Sequence, residues 1–165
     1  MTKDFQKNLD VKIKLATPED WQKCRDLRLE AITGEDREMF GLTPEEETIE
    51  KNKSEQEWRA ESNSDTMFSV LAWNDSEAIG LARAKQEEEK VWRIRNGYVK
   101  PEFRKMGIGQ KMFALRLGEI KRRGATKVRT GIKPDNVASL HVAEKFGFKK
   151  VSQDENFITM ELDLI

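Results

Sequence analysis

One cysteine, one histidine and one tyrosine are all that 165 residues hold of these three types. A lone cysteine, Cys24, closes no internal disulfide, which fits a reducing compartment. It stands three residues before Leu27 and seven before Ala31 in a helix-like stretch, which is the spacing of a core position rather than of a nucleophile. The lone histidine, His141, has no second ligand candidate beside it, so no metal site is expected. Nowhere does an apolar run reach the length of a membrane span, and the start Met1-Thr2-Lys3-Asp4-Phe5 lacks the apolar region of a signal peptide. The expected location is therefore the cytoplasm, with no membrane partner. Neither an internal repeat nor a Gly/Ser linker divides the chain, and its length suits one domain around one core.

Net charge is zero, so the basic balance of nucleic-acid-binding proteins is missing, and so is their interleaving of aromatics with bases. The charge is nonetheless unevenly spread. From Glu35 to Glu61 there are ten acids against four bases, whereas from Lys90 to Arg129 thirteen bases face only Glu102 and Glu119. The basic half suits an anionic ligand, although most such side chains are expected on solvated helix faces. Lys121, Arg122 and Arg123 have a local reason, because cations stabilise the C-terminal end of a helix before Gly124. The acidic stretch suits a cationic ligand.

Hydrophobic spacing gives the order of elements. Val11, Ile13 and Leu15 alternate with lysines and predict a strand; Thr17 with Pro18 opens a helix to about Ile32. Thr33 to Ser64 reads as short helices and loop. Thr66 to Trp73 and Ala78 to Ala84 form a hairpin around Asn74-Asp75-Ser76-Glu77, with a second turn over Gln86 to Glu89. Val91 to Val99 is a strand interrupted at Asn96-Gly97, where an internal glycine predicts a bulge or close backbone approach. A helix over Gly107 to Arg123, a strand over Lys127 to Ile132, a helix over Val137 to Phe146 closed by Gly147, and two final strands complete the chain.

Between the bulged strand and the first of these later helices lies Tyr98-Val99-Lys100-Pro101-Glu102-Phe103-Arg104-Lys105-Met106-Gly107-Ile108-Gly109-Gln110. Glycines at a helix start let an anion reach bare backbone N–H groups and the positive end of the helix dipole. Two phosphate loops fail on spacing. A P-loop needs Ser or Thr after its lysine, but Met112 follows Lys111; a dinucleotide fingerprint needs a third glycine where Met112 stands. By spacing alone the segment is either another kind of anion cradle or a tight turn into a helix without a ligand.

Arg104-x-x-Gly107-x-Gly109 resembles the acetyl-CoA loop of the GNAT superfamily of N-acetyltransferases. A second block strengthens the resemblance. Asn136, Ser139, Val142, Glu144, Lys145, Gly147 and Phe148 match that family's later helix, with Ala143 where many members carry tyrosine. Ala16 to Asp20, Arg25-x-x-Arg28-Leu29-x-Ala31 and Glu57-Trp58-Arg59 resemble its first-helix region more loosely. The resemblance runs from about Val11 to the end. It implies a domain over residues 11–165 behind an extension of residues 1–10. It also implies an α/β (α+β) fold of order βααβββαβαββ: a mixed, mostly antiparallel sheet of about seven strands, splayed at its centre, with helices on both faces.

The implied cosubstrate is acetyl-CoA, without a metal, and the implied partner is an amine acceptor, a small molecule or peptide, bound by a monomer or homodimer. The implied cofactor-binding residues are Tyr98, Val99, Arg104, Lys105, Met106, Gly107, Ile108, Gly109, Gln110, Asn136 and Ser139. Arg104 through Gln110 would hold the pyrophosphate, chiefly by backbone N–H groups, with charge from Arg104 and Lys105. The pantetheine arm would run near Tyr98 and Val99, with Asn136 and Ser139 opposite.

No catalytic residue is assigned. The family often has a carboxylate on the strand before the loop, but this strand carries Arg93, Arg95 and Asn96. Glu30 and Glu77 are conceivable bases. Ala143 and the absent carboxylate motivate a second reading, a non-catalytic acyl-CoA-binding regulator. His141 points roughly 200° away from Ala143 round its helix and reads as a surface residue. The four tryptophans read as core or rim residues, with Trp58 a conceivable wall of an acceptor pocket.

Overall fold

The computed structural model describes residues 10–164. The expected extension lies, but for Asp10, outside them. Seven strands form one sheet: β1 (Val11–Leu15), β2 (Met67–Asn74), β3 (Glu77–Glu88), β4 (Val91–Val99), β5 (Lys127–Ile132), β6 (Lys149–Gln153) and β7 (Ile158–Asp163). Their order is β1-β2-β3-β4-β5-β7-β6. Every neighbouring pair is antiparallel except β4 and β5. A parallel pair needs a crossover, which here is α5 (Ile108–Arg122).

Side-chain alternation sorts the strands between two cores. Val70 and Ala72 of β2 point into a cluster with Met112, Phe113 and Ile120 of α5, whereas Leu71 between them joins Leu81, Tyr98, Cys24 and Leu27 on the opposite face. That second face is covered by α1 (Trp21–Thr33), which follows a 3-10 turn over Pro18–Asp20. Helix α6 (Val137–Lys145) shares the larger cluster through Ala143. Cys24 and Trp58 are both core residues, 3% and 2% exposed, which removes Trp58 from any acceptor pocket.

The polar stretch after α1 folds into three short helices, α2 (Arg37–Phe40), α3 (Pro44–Lys51) and α4 (Glu55–Ser62). Two capping boxes explain how so acidic a sequence is held. Glu46 N–H donates to Thr43 and Glu46 accepts from the Thr43 N–H; Ser54 and Glu57 repeat the exchange. The expected turn over Gln86 to Glu89 is corrected. Lys85 and Gln86 pair with Arg93 and Trp92, and β3 continues to Glu88 before a two-residue loop in which Lys90 has φ +63°. The charged run resembled a turn only because its partners stand on the next strand.

Candidate active site

The sheet opens between its two parallel strands. The β4–β5 ladder holds for three pairs, Val91 with Lys127 to Arg93 with Arg129; beyond them β5 continues beside β7 while β4 has no ladder partner on that side. The cause lies in β4 itself. Leu81 pairs with Tyr98 and Arg83 with Arg95, so Asn96 and Gly97 together oppose the single residue Ala82. This is the expected bulge, which bends the strand away from its neighbour.

The bulge is braced from below by a residue that sequence reasoning put on a solvated face. Arg116 of α5 is 4% exposed, and its Nη1 donates to Arg83 O at 3.1 Å and Arg95 O at 2.9 Å. It thereby replaces amide donors that the misaligned ladder cannot supply. Burial, with no carboxylate to oppose it, pushes its pKa down to about 9. The missed signal was spacing: Arg116 lies four residues from both Met112 and Ile120, on the buried stripe of its helix.

At the carboxyl ends of β4 and β5, where the strands have parted, two helix N-termini begin. After β4 a 3-10 turn, Pro101–Phe103, leads to Lys105 at φ +62° and Gly107 at φ +80°, the N-cap of α5. Lys111 N–H to Gly107 O, 3.1 Å, is the first bond of the helix. The N–H groups of Gly107, Ile108, Gly109 and Gln110 therefore precede it, and no side chain caps them. A Cβ at Gly107 or Gly109 would meet nothing within 4 Å. Ile108, 4% exposed, and the half-buried Met106 anchor the loop in the core and leave its backbone facing outward. These are the features of an anion cradle.

The flanking residues divide. Lys105 is exposed and has no ion-pair partner among the described residues. Arg104 is engaged elsewhere: it donates to Val99 O at 2.8 Å, pairs with Asp36, and lies 5.6 Å from the Tyr98 ring centre. It braces the loop against the N-terminus of α2. Gln110 accepts from Lys145 of α6 at 2.8 Å. Asn136 caps α6 by accepting from Ser139 N–H at 3.2 Å, so these two residues set the second N-terminus. Val99 packs its side chain toward the larger core. The Tyr98 side chain is buried on the α1 face, where its hydroxyl donates to Glu30 at 2.6 Å. Burial and that bond raise the phenol's pKa.

The conceivable bases are both occupied. Lys100 lies 3.4 Å from Glu30 and 3.6 Å from Glu77. His141 is exposed, as read. Ala143 has no exposed surface, so a tyrosine there would have to displace core atoms. Two carboxylates of the acidic stretch are engaged inside the protein. Glu50 and Glu61 both hold Lys53, at 2.8 and 2.7 Å, Glu61 binds Arg83 at 2.8 Å, and Glu50 meets Arg28 at 3.4 Å. Those two carboxylates pin α1, α3 and α4 to β3, whereas Glu35, Glu38 and Glu45 of the same stretch are exposed and have no ion-pair partner among the described residues.

Comparison with known proteins agrees with this geometry. The model of the Acetyltransferase (GNAT) family matches residues 21–148. The PaiA N-acetyltransferase of Thermoplasma acidophilum, solved with coenzyme A, is 20% identical and superimposes with a TM-score of 0.75 over 94% of this chain and 99% of its own. The yncA protein of Salmonella typhimurium, solved with its cofactor acetyl-CoA, is 15% identical, with a TM-score of 0.74 over 94% of each chain. The ribosomal-protein-alanine N-acetyltransferase of Brucella melitensis is 19% identical, with a TM-score of 0.74 over 93% of this chain and 99% of its own. With the matched segment spanning both the cradle and the second helix N-terminus, the chain belongs to the acetyltransferase (GNAT) family.

Proposed function

We propose that this protein is an N-acetyltransferase that moves an acetyl group from acetyl-CoA to a primary amine, by direct attack within a ternary complex. One observation carries the reading: an uncapped, glycine-opened helix N-terminus stands at the mouth of a gap that a bulge has opened in the sheet. The pyrophosphate lies on the N–H groups of Gly107 to Gln110, with Lys105 adding charge. The pantetheine arm follows the unpaired side of β4 past Tyr98 and Val99, with Asn136 and Ser139 across from it. The thioester then reaches the bulge, where backbone donors that have lost their ladder partners polarise its carbonyl.

The amine attacks as the free base, which is about one part in a thousand of a lysine-like amine at neutral pH. With Glu30 and Glu77 both tied to Lys100, the proposal gives its proton to water. The rate at subsaturating amine should therefore rise with pH toward the amine's own pKa. The test is thiol release from acetyl-CoA over a panel of amines and short peptides, with mass detection of the acetylated product. Product formation supports the reading. Tight acetyl-CoA binding without product over the whole panel would favour the non-catalytic regulator, for which the buried Ala143 at the family's tyrosine position speaks.

A further inference from the structure

The face of the sheet opposite α5 carries a line of cations beside the bulge. Register puts Arg83 opposite Arg95 and Lys85 opposite Arg93, so all four side chains project to one face of β3 and β4. Three of them, Lys85, Arg93 and Arg95, line an open cleft of about 250 Å³ together with Gln86 and Glu87. The carboxylates nearby are already engaged. Glu87 accepts from Arg93 at 3.0 Å and also meets Arg129 at 3.5 Å; Glu161 holds Arg129 at 2.8 Å; Glu61 holds Arg83. Arg95 and Lys85 have no carboxylate partner among the described residues.

Arg95 is the informative one. Its carbonyl is fixed by Arg116, and it stands two residues, about 7 Å along a strand, before Gly97 of the bulge. Arg95 is exposed, stands beside the Arg83 and Arg93 charges and has no carboxylate of its own, so an incoming anion would meet an unpaired guanidinium in a locally positive field. Across from β4, Gly131 of β5 lies beside Arg93: a Cβ there would stand 3.5 Å from its guanidinium and 3.8 Å from the Phe157 ring. With acetyl-CoA entering from the α5 side, this face is the one from which an acceptor reaches the thioester.

We propose that the acceptor is a small amine bearing an anionic group, a carboxylate or a phosphate, which the Arg95 guanidinium binds in this cleft while the amine lies at the bulge. The inference rests on the acetyltransferase reading. A planar guanidinium fork suits either oxyanion, and Lys85 adds charge without fixing geometry. The cleft's modest volume suits a molecule of amino-acid size rather than a folded partner.

Binding, rather than turnover, decides the proposal. Calorimetric titration of the CoA-saturated protein uses paired probes: the twenty amino acids against their amides, and phosphoethanolamine against ethanolamine. An anionic member should bind about tenfold or more tightly than its neutralised pair, and Arg95→Gln should erase that difference while Arg95→Lys keeps part of it. Preference for phosphoethanolamine alone assigns the anion as phosphate; preference among amino acids assigns a carboxylate. Arg95→Gln should leave CoA affinity and the melting temperature unchanged, because its side chain faces away from α5. Equal binding of charged and neutral members, no binding of any anionic member, or an undiminished preference in Arg95→Gln would overturn the proposal. Loss of CoA affinity in that variant would also overturn it, by assigning the arginine to the cofactor. Selective anion binding without any thiol release would uphold the cleft and count against the transferase reading alone.

Discussion

Replacing Gly109 with aspartate should move two properties in opposite directions. The new Cβ enters open space, and the residue lies within the first turn of α5 at an ordinary helical φ, so no steric cost arises. Losing a glycine from a helix and gaining an acid near its N-terminus together stabilise the free protein by about 0.5 to 1 kcal/mol. In a chain of this length that is a rise of roughly 1 to 4 °C in Tm. For the ligand the sign reverses. A carboxylate about 5 Å from a phosphate charge, at an effective dielectric near 20, costs about 3 kcal/mol, or roughly two orders of magnitude in Kd. Thermal melting and calorimetric titration with CoA read the two effects on one sample. A variant that melts higher yet binds CoA as tightly as the parent would refute the placement of phosphate on this helix, whereas a lower Tm would refute the claim of open space.

Four further outcomes follow from the same contacts. Arg116→Met removes the donor to Arg83 O and Arg95 O, and should cost about 1 to 3 kcal/mol in denaturant unfolding and weaken acetyl-CoA binding through a collapsed bulge. Ala143→Tyr should not accelerate the reaction; it overpacks a residue with no exposed surface and should lower stability by about 1 to 3 kcal/mol, measured by the same unfolding. Tyr98→Phe should retain turnover within about tenfold, because its hydroxyl is committed to Glu30; a loss in the general-acid range of about a hundredfold or more would make Tyr98 the proton donor. Glu119, 5% exposed, is held by Arg122 and Arg123, whose bonds bring its pKa down to about 2. A lowered folded-state pKa means stability present above about 4.5 and lost as pH falls toward 2, so Glu119→Gln should be up to about 3 kcal/mol less stable at neutral pH, with the gap closing in acid.

Local signals were the readable ones. The cradle, the bulge at Asn96-Gly97 and the α6 block are set by glycines and caps a few residues apart, so the chain itself displays them. The parting of β4 from β5 was legible in β4 through that bulge and through the family resemblance; the three residue pairs over which the two strands still hold together were not, because they depend on long-range pairing. The motif brings Arg104 to the ligand side of the loop, but its pairing with Asp36, sixty-eight residues away, is a long-range contact that no local pattern displays. The stretch after α1 reads as short helices and loop and folds as three short helices, two of them opened by Thr43-x-x-Glu46 and Ser54-x-x-Glu57; low hydrophobicity hid their bounds, not their existence. Which of their carboxylates are paired was not legible, because net charge along a segment does not tell that Glu50 and Glu61 hold Lys53 and Arg83 while Glu35, Glu38 and Glu45 stay exposed.

The most direct measurement is calorimetric titration of the wild-type protein with acetyl-CoA at two salt concentrations. The account predicts one saturable site per chain whose affinity falls as salt rises, since Lys105 and helix N–H groups hold the phosphates. Absence of binding at millimolar acetyl-CoA would contradict it, as would an affinity indifferent to both salt and Gly109→Asp.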